Sequence, residues 1–226
     1  MSAIVTGAGS GIGRAVAIKL ASKGLPVALV GRTLESLEET LAAIEKTKAR
    51  AIAVPCDVSS ADEVELARET ILAKHGAPRV IVSNAGVAHR VDLASMSEAI
   101  WDETMDVNLK GSFLLARAFV PSMIQAKTGR FVAMSSISAT LGTPRMTAYC
   151  ASKWGLVGFV KALAEELRGT GVQALAVLPG SVDTAMLEGS GFSPDMTPDD
   201  VANLVAYAAL DAPDAMNGSA IEMFGP

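Results

Sequence analysis

The chain has 226 residues, of which 50% are hydrophobic and only 4% aromatic, and it contains 20 glycines and carries a formal net charge of -5. This length fits one domain over residues 1–226, and an acidic chain without a Lys/Arg cluster excludes a nucleic-acid partner. Two distant cysteines and only two histidines argue against a metal site. The same cysteine usage fits a reducing compartment, so we expect a cytoplasmic protein. No apolar run is long enough to span a membrane, which argues against a membrane partner.

Short runs rich in β-branched residues alternate with segments of helical periodicity along the whole chain. Strands are predicted near 2–5, 26–30, 50–55, 79–83, 130–134, 172–178 and 219–223. Helices are predicted over 12–23, 34–47, 60–75, 98–127, 146–168 and 198–210. This alternation is typical of an α/β fold with a doubly wound, seven-stranded parallel sheet and helices on both faces, the Rossmann fold.

A glycine-rich turn, residues 6–13 with the sequence TGAGSGIG, connects the first strand to the first helix. Glycines let the backbone turn sharply and approach a pyrophosphate, which the free N–H groups of the helix terminus can bind. The spacing Gly-x-x-x-Gly-x-Gly departs from the Gly-x-Gly-x-x-Gly fingerprint. A purely structural turn is the alternative, and three glycines at the first βα junction disfavour it. The residues predicted to bind a coenzyme here are Gly7, Ser10, Gly11, Ile12 and Gly13.

The second strand ends at Gly31-Arg32. An acidic residue at this point would accept hydrogen bonds from an adenosine ribose 2'-OH, whereas an arginine accommodates a 2'-phosphate. Arg32 therefore predicts NADP(H) in preference to NAD(H). The alternative is that Arg32 is a solvated residue at the start of a helix.

Tyr149 and Lys153 lie four residues apart in a predicted helix, so both side chains lie on one face. A neighbouring cation favours the phenolate, and we therefore expect Lys153 to lower the pKa of Tyr149 from its usual value near 10. An ordinary surface pair is the alternative for an isolated Tyr-x-x-x-Lys pattern.

These motifs, taken with several others, resemble the short-chain dehydrogenase/reductase family in its compact single-domain branch, with 3-oxoacyl thioester reductases as the nearest named members. The order and spacing of six motifs carry the resemblance, including the 13-residue step from Ser136 to Tyr149. The motifs are residues 6–13, Asn84-Ala85-Gly86, Asn108, Ser136, Tyr149 with Lys153, and Pro179-Gly180.

The resemblance implies a coenzyme role for residues at the ends of the later strands. It implies that Asp57 accepts a hydrogen bond from the adenine amino group and that Val58 packs on the ring, although Asp57 or Ser59 could only cap the next helix. It also implies that Val182 and Thr184 bind the nicotinamide carboxamide. The remaining coenzyme residues that it implies are Asn84, Ala85, Gly86, Tyr149, Lys153, Pro179 and Gly180.

The resemblance also implies four catalytic residues. Tyr149 exchanges the proton, Ser136 holds the substrate oxygen, and Lys153 binds the nicotinamide ribose. Asn108 lies at a helix kink and connects Lys153 to solvent through a water molecule. His89 and Arg90 follow the turn after the fourth strand, so we expect them near the mouth of the site, and we assign them no catalytic role.

We therefore expect an NADP(H)-dependent oxidoreductase that acts on a ketone, aldehyde, 3-oxoacyl thioester or alcohol. A non-catalytic NADP(H)-binding regulator or scaffold is the alternative, because a fold alone does not fix function.

Apolar residues around the helix from 154 to 164 predict pairing into a homodimer or homotetramer, unless helices of the same chain bury them. Residues 185–196 predict a mobile apolar lid, containing Met186, Leu187, Phe192 and Met196, with Met146 on the same wall; a permanently ordered connector is the alternative.

Overall fold

A single seven-stranded sheet forms the centre of the computed structural model, which describes residues 2–46 and 49–225. The strand order is β3-β2-β1-β4-β5-β6-β7, and every neighbouring pair is parallel. This confirms the predicted doubly wound fold. The strands are β1 Ser2–Thr6, β2 Val27–Gly31, β3 Ala51–Pro55, β4 Pro78–Ser83, β5 Gly129–Met134, β6 Val172–Pro179 and β7 Ala220–Met223.

Seven α-helices connect these strands, with boundaries close to the predicted ones. The helices are α1 Gly11–Ser22, α2 Leu34–Glu45, α3 Ala61–His75, α4 Glu98–Met105, α5 Gly111–Ala126, α6 Thr147–Glu166 and α7 Pro198–Leu210. The predicted end of the second helix at residue 47 lies outside the described residues. No helix in the described part of the chain has the length and apolar character needed to cross a membrane.

The predicted helical stretch over 98–127 is present to residue 126, but its α-helical geometry is interrupted once, at the kink expected near Asn108. A π-helical turn, Asp106–Lys110, separates α4 from α5. Such turns insert one extra residue into a helix and are frequent at functional sites. The turn rotates α5 relative to α4 and directs Asn108 into the protein interior, where it is 1% exposed.

Side chains bury both faces of the sheet, because successive strand residues point to opposite sides. Ile4, Ile81 and Phe131 belong to a core against α3, α5 and α6. Val5 and Val82 belong to a second core on the opposite face, against α1, α2 and α7. Full burial of each such side chain contributes about 1.5–3 kcal/mol, so these two cores hold the strand ends in fixed positions.

The strand order reverses between β1 and β4, because β1 connects first to β2 on one side and the chain later returns to β4 on the other. Parallel sheets of this kind bind ligands outside the carboxyl ends of the strands at this switch point. We therefore expect a ligand-binding site at the turns after β1 and β4.

Candidate active site

The glycine-rich turn after β1 approaches neighbouring backbone so closely that it excludes side chains. Gly7 and Gly11 have φ angles of +64° and +48°, in the left-handed region. A Cβ atom on Gly13 would lie 2.1 Å from the Gly7 carbonyl oxygen and 2.6 Å from Nδ2 of Asn84. The absence of side chains at these positions leaves backbone at the start of α1 open to a ligand.

A cleft of about 310 Å³ lies along this turn, and we call it the glycine-loop cleft. Twelve of the residues predicted to bind a coenzyme line it. They are Gly7, Ser10, Gly11, Ile12, Gly13, Arg32, Asp57, Val58, Asn84, Ala85, Gly86 and Thr184. The tertiary structure thus brings together the ends of β1, β2, β3 and β4, as the order of motifs predicted.

Asp57 is ionised at the far end of the glycine-loop cleft. Burial opposes its charge, but hydrogen bonds from the hydroxyl and backbone N–H of Ser59, together with the positive charge of Arg32, hold the pKa of Asp57 below its ordinary value. The two bonds to Oδ1 measure 2.7 and 2.9 Å. Neither Asp57 nor Ser59 caps the next helix, because Ser60 is the N-cap of α3 and accepts from the backbone N–H of Glu63.

Asn84 joins the turn after β4 to the turn after β1. Its Nδ2 donates to the backbone carbonyl of Thr6 at 2.9 Å. The Thr6 hydroxyl accepts from the backbone N–H groups of Asn84 and Ala85 at 2.9 and 3.0 Å. Thr6 is fully buried and its role was not predicted from the sequence, although it opens the glycine-rich turn. These three bonds fix the floor of the cleft.

A second cavity, of about 200 Å³, adjoins the first, and we call it the Tyr149 cavity. The remaining predicted residues, Asn108 excepted, line it: Ser136, Tyr149, Lys153, Pro179, Gly180 and Val182. The two cavities have five lining residues in common, which are Ile12, Asn84, Gly86, Thr184 and Met186. A ligand in the glycine-loop cleft can therefore reach the Tyr149 phenol.

Tyr149 and Lys153 are both almost completely buried in this cavity, at 8% and 4% exposure. The Lys153 ammonium donates to the Met134 carbonyl oxygen at 2.7 Å and lies 5.6 Å from the centre of the Tyr149 ring. Burial lowers the pKa of Lys153 to about 8. The ammonium is thus held by the end of β5.

The pKa of Tyr149 is raised, not lowered as the sequence predicted. Burial is the largest cause, since the charged phenolate loses solvation. Hydrogen bonding with the Ser136 hydroxyl and the positive charge of Arg90 act in the opposite direction but are smaller. The prediction failed because proximity along a helix does not report burial, and burial dominates here.

Asn108 lies behind the Tyr149 cavity and does not line it. Its side-chain oxygen accepts from the Val87 backbone N–H at 2.8 Å, and its Nδ2 donates to the Val87 carbonyl and to the Ser152 hydroxyl, each at 3.0 Å. Ser152 in turn donates to the Tyr149 carbonyl at 2.7 Å. Asn108 therefore connects the turn after β4 to the helix that carries Tyr149 and Lys153.

The wall of the Tyr149 cavity is largely apolar. Met146, Met186, Leu187 and Phe192 line it, as predicted. Met196 does not, because it is 4% exposed and packs in the core formed with α7. A short 3₁₀ helix, Ala185–Leu187, holds two of the lining residues.

Arg90 also lines this cavity, as expected from its place near the mouth of the site, although it was not among the predicted site residues. Its Nη1 and Nη2 both donate to the Met186 carbonyl oxygen at 3.2 Å. A signal was available in its position four residues after Gly86, at the carboxyl end of β4. That position does not show that Arg90 lines the cavity, because its contact with the 185–187 segment forms only in the folded chain.

Fold and site together define a Rossmann-type α/β protein with a polar cluster at its switch point. The sequence model of the short chain dehydrogenase family matches residues 1–192. The curated relative 3-oxoacyl-(acyl-carrier-protein) reductase FabG of Staphylococcus aureus is 33% identical over 99% of this chain and 96% of its own length. D-threitol dehydrogenase of Mycolicibacterium smegmatis is 34% identical over 99% of this chain and 91% of its own length.

Solved structures agree with these sequence matches. A metagenomic short-chain oxidoreductase in complex with NADP has a TM-score of 0.88 and 39% identity, covering 100% of this chain and 97% of its own. Levodione reductase has a TM-score of 0.94 and 26% identity, covering 98% and 95%. The chain therefore belongs to the short-chain dehydrogenase/reductase family and is an oxidoreductase, which confirms the resemblance.

Proposed function

We propose that the protein is an NADP(H)-dependent oxidoreductase that interconverts a carbonyl compound and an alcohol. One observation carries the proposal: a buried phenol, a hydroxyl and an ammonium line a cavity that opens directly into the glycine-loop cleft. A site for a dinucleotide thus adjoins a site where a proton can be exchanged.

The residues of the glycine-loop cleft fit a dinucleotide. The close approach of Gly13 to Gly7 and the start of α1 at Gly11 present free backbone N–H groups, which suit a pyrophosphate. Arg32 suits a 2'-phosphate, and the ionised Asp57 retains acceptor capacity for an adenine amino group. The bound NADP of the 39% identical relative supports the choice of coenzyme.

The coenzyme, when bound as NADPH, supplies the hydride that reduces the carbonyl carbon. Tyr149 donates the proton to the carbonyl oxygen, and Ser136 donates a hydrogen bond to the same oxygen. Negative charge develops on that oxygen in the transition state, so donors held in advance by burial stabilise it. Because burial raises the pKa of Tyr149, the phenol is protonated at neutral pH, the form that reduction requires.

Lys153 and Asn108 support this pair in different ways. The Lys153 ammonium, anchored on the Met134 carbonyl, has two remaining donors, which suit the hydroxyls of a nicotinamide ribose. Asn108 positions α6 through Ser152. Its part in a water-mediated connection to Lys153 stays a prediction.

The apolar wall formed by Met146, Leu187 and Phe192 favours carbonyl substrates with a medium-sized apolar chain over sugars. Ketones, aldehydes and 3-oxoacyl thioesters fit this description. The reductase name of the Staphylococcus aureus relative supports the thioester as one member of the class.

We also propose self-association through α5 and α6. Phe113 on α5 is 43% exposed and Trp154 on α6 is 54% exposed. The described part of the same chain buries Leu156, Val160 and Ala164 but leaves these two aromatic side chains about half exposed. A second copy would bury them and gain about 25 cal/mol for each Å² of apolar surface removed from water.

Absorbance at the reduced-nicotinamide band tests the proposed reaction, using a panel of ketones, aldehydes and an acetoacetyl thioester with NADPH and with NADH. We expect turnover with NADPH, and we expect Tyr149→Phe to bind NADPH normally while turnover falls by about 10²–10⁴-fold, the usual contribution of a general acid. Tyr207→Phe is the matched control, since Tyr207 is the other tyrosine and is 42% exposed.

NADPH binding without turnover on the whole panel would favour the alternative, a non-catalytic regulator on the same fold. Full activity of Tyr149→Phe would refute the assignment of Tyr149. An activity that prefers NADH would refute the coenzyme assignment alone.

A further inference from the structure

The wall of the Tyr149 cavity carries one charged group that the proposed reaction does not use, the guanidinium of Arg90. No Asp or Glu is present among the described residues that line this cavity. Arg90 makes no ion pair with any residue in 2–46 or 49–225 within 4.0 Å. A partly buried cation without a counter-charge is unfavourable in the protein alone and favours an anionic ligand.

Hydrogen bonding leaves Arg90 able to bind such a ligand. An arginine has five N–H donors, and Arg90 uses one on each Nη to hold the Met186 carbonyl oxygen. Three donors remain, and they include the edge formed by Nε and one Nη. That edge has the two parallel N–H groups that match a carboxylate.

The backbone around Arg90 is held firmly, which a recognition residue requires. The carbonyl oxygen of Arg90 accepts from Nη2 of Arg145 at 3.3 Å, and the N–H of Val91 donates to the Arg145 carbonyl at 2.9 Å. Arg145 thus contacts this segment through both its side chain and its backbone, and its φ angle of 63° lies in the left-handed region. Arg145 itself does not line the cavity.

Arg90 also lies close enough to the reacting groups to act on them: burial raises the pKa of Tyr149, and the positive charge of Arg90 partly opposes that rise. The groups that influence the phenol are Ser136, Cys150 and Arg90, with the Lys153 ammonium 5.6 Å from the ring centre. An anion on Arg90 would therefore lie in the same cavity as the proton donor.

We propose that Arg90 is a specificity-determining residue, and that the preferred substrate is an oxo acid whose carboxylate binds Arg90 while its carbonyl faces Tyr149 and Ser136. The apolar side chains of Met146, Leu187 and Phe192 contact the carbon chain between the two polar ends. This inference rests on the proposed function and narrows its substrate class.

Matched acids and esters test the inference, with kcat/KM for NADPH oxidation as the readout. The probes are 2-, 4- and 5-oxohexanoate and their methyl esters, which vary the spacing between carbonyl and carboxylate on one chain length. For at least one spacing we expect the acid to exceed its ester by about tenfold or more, as a charge-assisted bidentate contact provides. The ester removes the charge and keeps the carbonyl and the chain.

Arg90→Met should reduce this acid-to-ester ratio to about one, mainly through the KM of the acid. Using a ratio within each variant cancels any general effect of the substitution on Tyr149 or on folding. Arg90→Lys keeps the charge without the planar fork and should keep part of the preference. Lys74→Met is the control, because it removes an exposed positive charge that lines neither cavity, and it should keep the full preference.

Several outcomes overturn the inference. Esters reduced as well as acids at every spacing would do so while leaving the proposed function intact. The same holds if Arg90→Met and Arg90→Lys both retain the wild-type ratio, or if Lys74→Met loses it to the same degree, which would indicate an effect of the overall charge of the protein. No NADPH oxidation with any acid, ester or other carbonyl would refute the proposed function, and the inference with it.

Discussion

Substitution of Gly13 by alanine tests whether the glycine-rich turn has the close backbone contact that the structure describes. The new Cβ would lie 2.1 Å from the Gly7 carbonyl oxygen and 2.6 Å from Nδ2 of Asn84. Favourable contacts between such atoms need about 3.5 Å, so the turn or α1 must move by more than about 1 Å. That movement also strains the Asn84 bond to Thr6.

Opposing effects set the expected size of the change. Overpacking of a close contact costs about 1–3 kcal/mol and sometimes more, and a weakened buried hydrogen bond adds about 1 kcal/mol. Replacing a helical glycine by alanine returns about 0.5–1 kcal/mol. We expect Gly13→Ala to lower the free energy of unfolding by about 2–3 kcal/mol, which for a chain of this length lowers Tm by about 4–12 °C.

The assays are urea unfolding and titration of NADPH fluorescence. Because the displaced turn lines the glycine-loop cleft, NADPH should bind at least about tenfold more weakly, a loss of about 1.4 kcal/mol. Gly142→Ala is the control, since a Cβ on Gly142 meets no atom within 4 Å. It should leave affinity unchanged and stability unchanged or slightly higher. Wild-type stability and wild-type NADPH affinity in Gly13→Ala would refute the close approach of the turn to α1.

The remaining predictions concern the coenzyme, the buried lysine, the lid and assembly. Arg32→Asp should weaken NADPH and improve NADH relative to it, through repulsion of the 2'-phosphate and a new ribose acceptor; equal effects on both would make Arg32 merely structural. Burial lowers the pKa of Lys153 from 10.5 to about 8, so the unfolded chain binds more protons between these values. The stability of wild type relative to Lys153→Met should therefore rise with pH across that window, by up to about 3 kcal/mol, whereas a flat difference in urea unfolding would contradict the burial. Hydrogen exchange of residues 185–196 should slow when NADPH is added, and protection already complete without NADPH would exclude a mobile lid. In sedimentation we expect wild type to form a dimer or tetramer and Trp154→Glu to shift it towards monomer, while a monomeric wild type at micromolar concentration would disprove pairing through α6.

Most of the fold could be predicted from the sequence, because buried parallel strands require local apolar runs that the chain displays. Runs such as Val27–Gly31 and Val172–Pro179 fall within one residue of their predicted limits. The π-helical turn between α4 and α5 was implied only by the family resemblance, as a kink at Asn108, because the residue pattern at 106–110 carries no local signal for it. It depends on bonds from Asn108 to Val87 and Ser152, which are 21 and 44 residues away in the chain.

The candidate site shows the same division. Apart from Asn108, every residue predicted for coenzyme or catalysis lines one of two connected cavities. Most of these residues follow the end of a strand, and parallel strands end at one edge of the sheet, whereas Tyr149 and Lys153 reach the same edge from α6. The identity of the motifs and their order along the chain were sufficient for that result.

By itself, the sequence determined the strand and helix pattern, the glycine-rich turn and the chemical groups at the strand ends, since each depends on residue type and local spacing. Only the tertiary structure decided how those groups behave. Burial raises the pKa of Tyr149 although a lysine lies one helical turn away, Met196 packs in the core beside the lid, and Arg90 enters the cavity wall. Solvent exclusion and contact between distant segments set these properties, and neither is encoded in local sequence spacing.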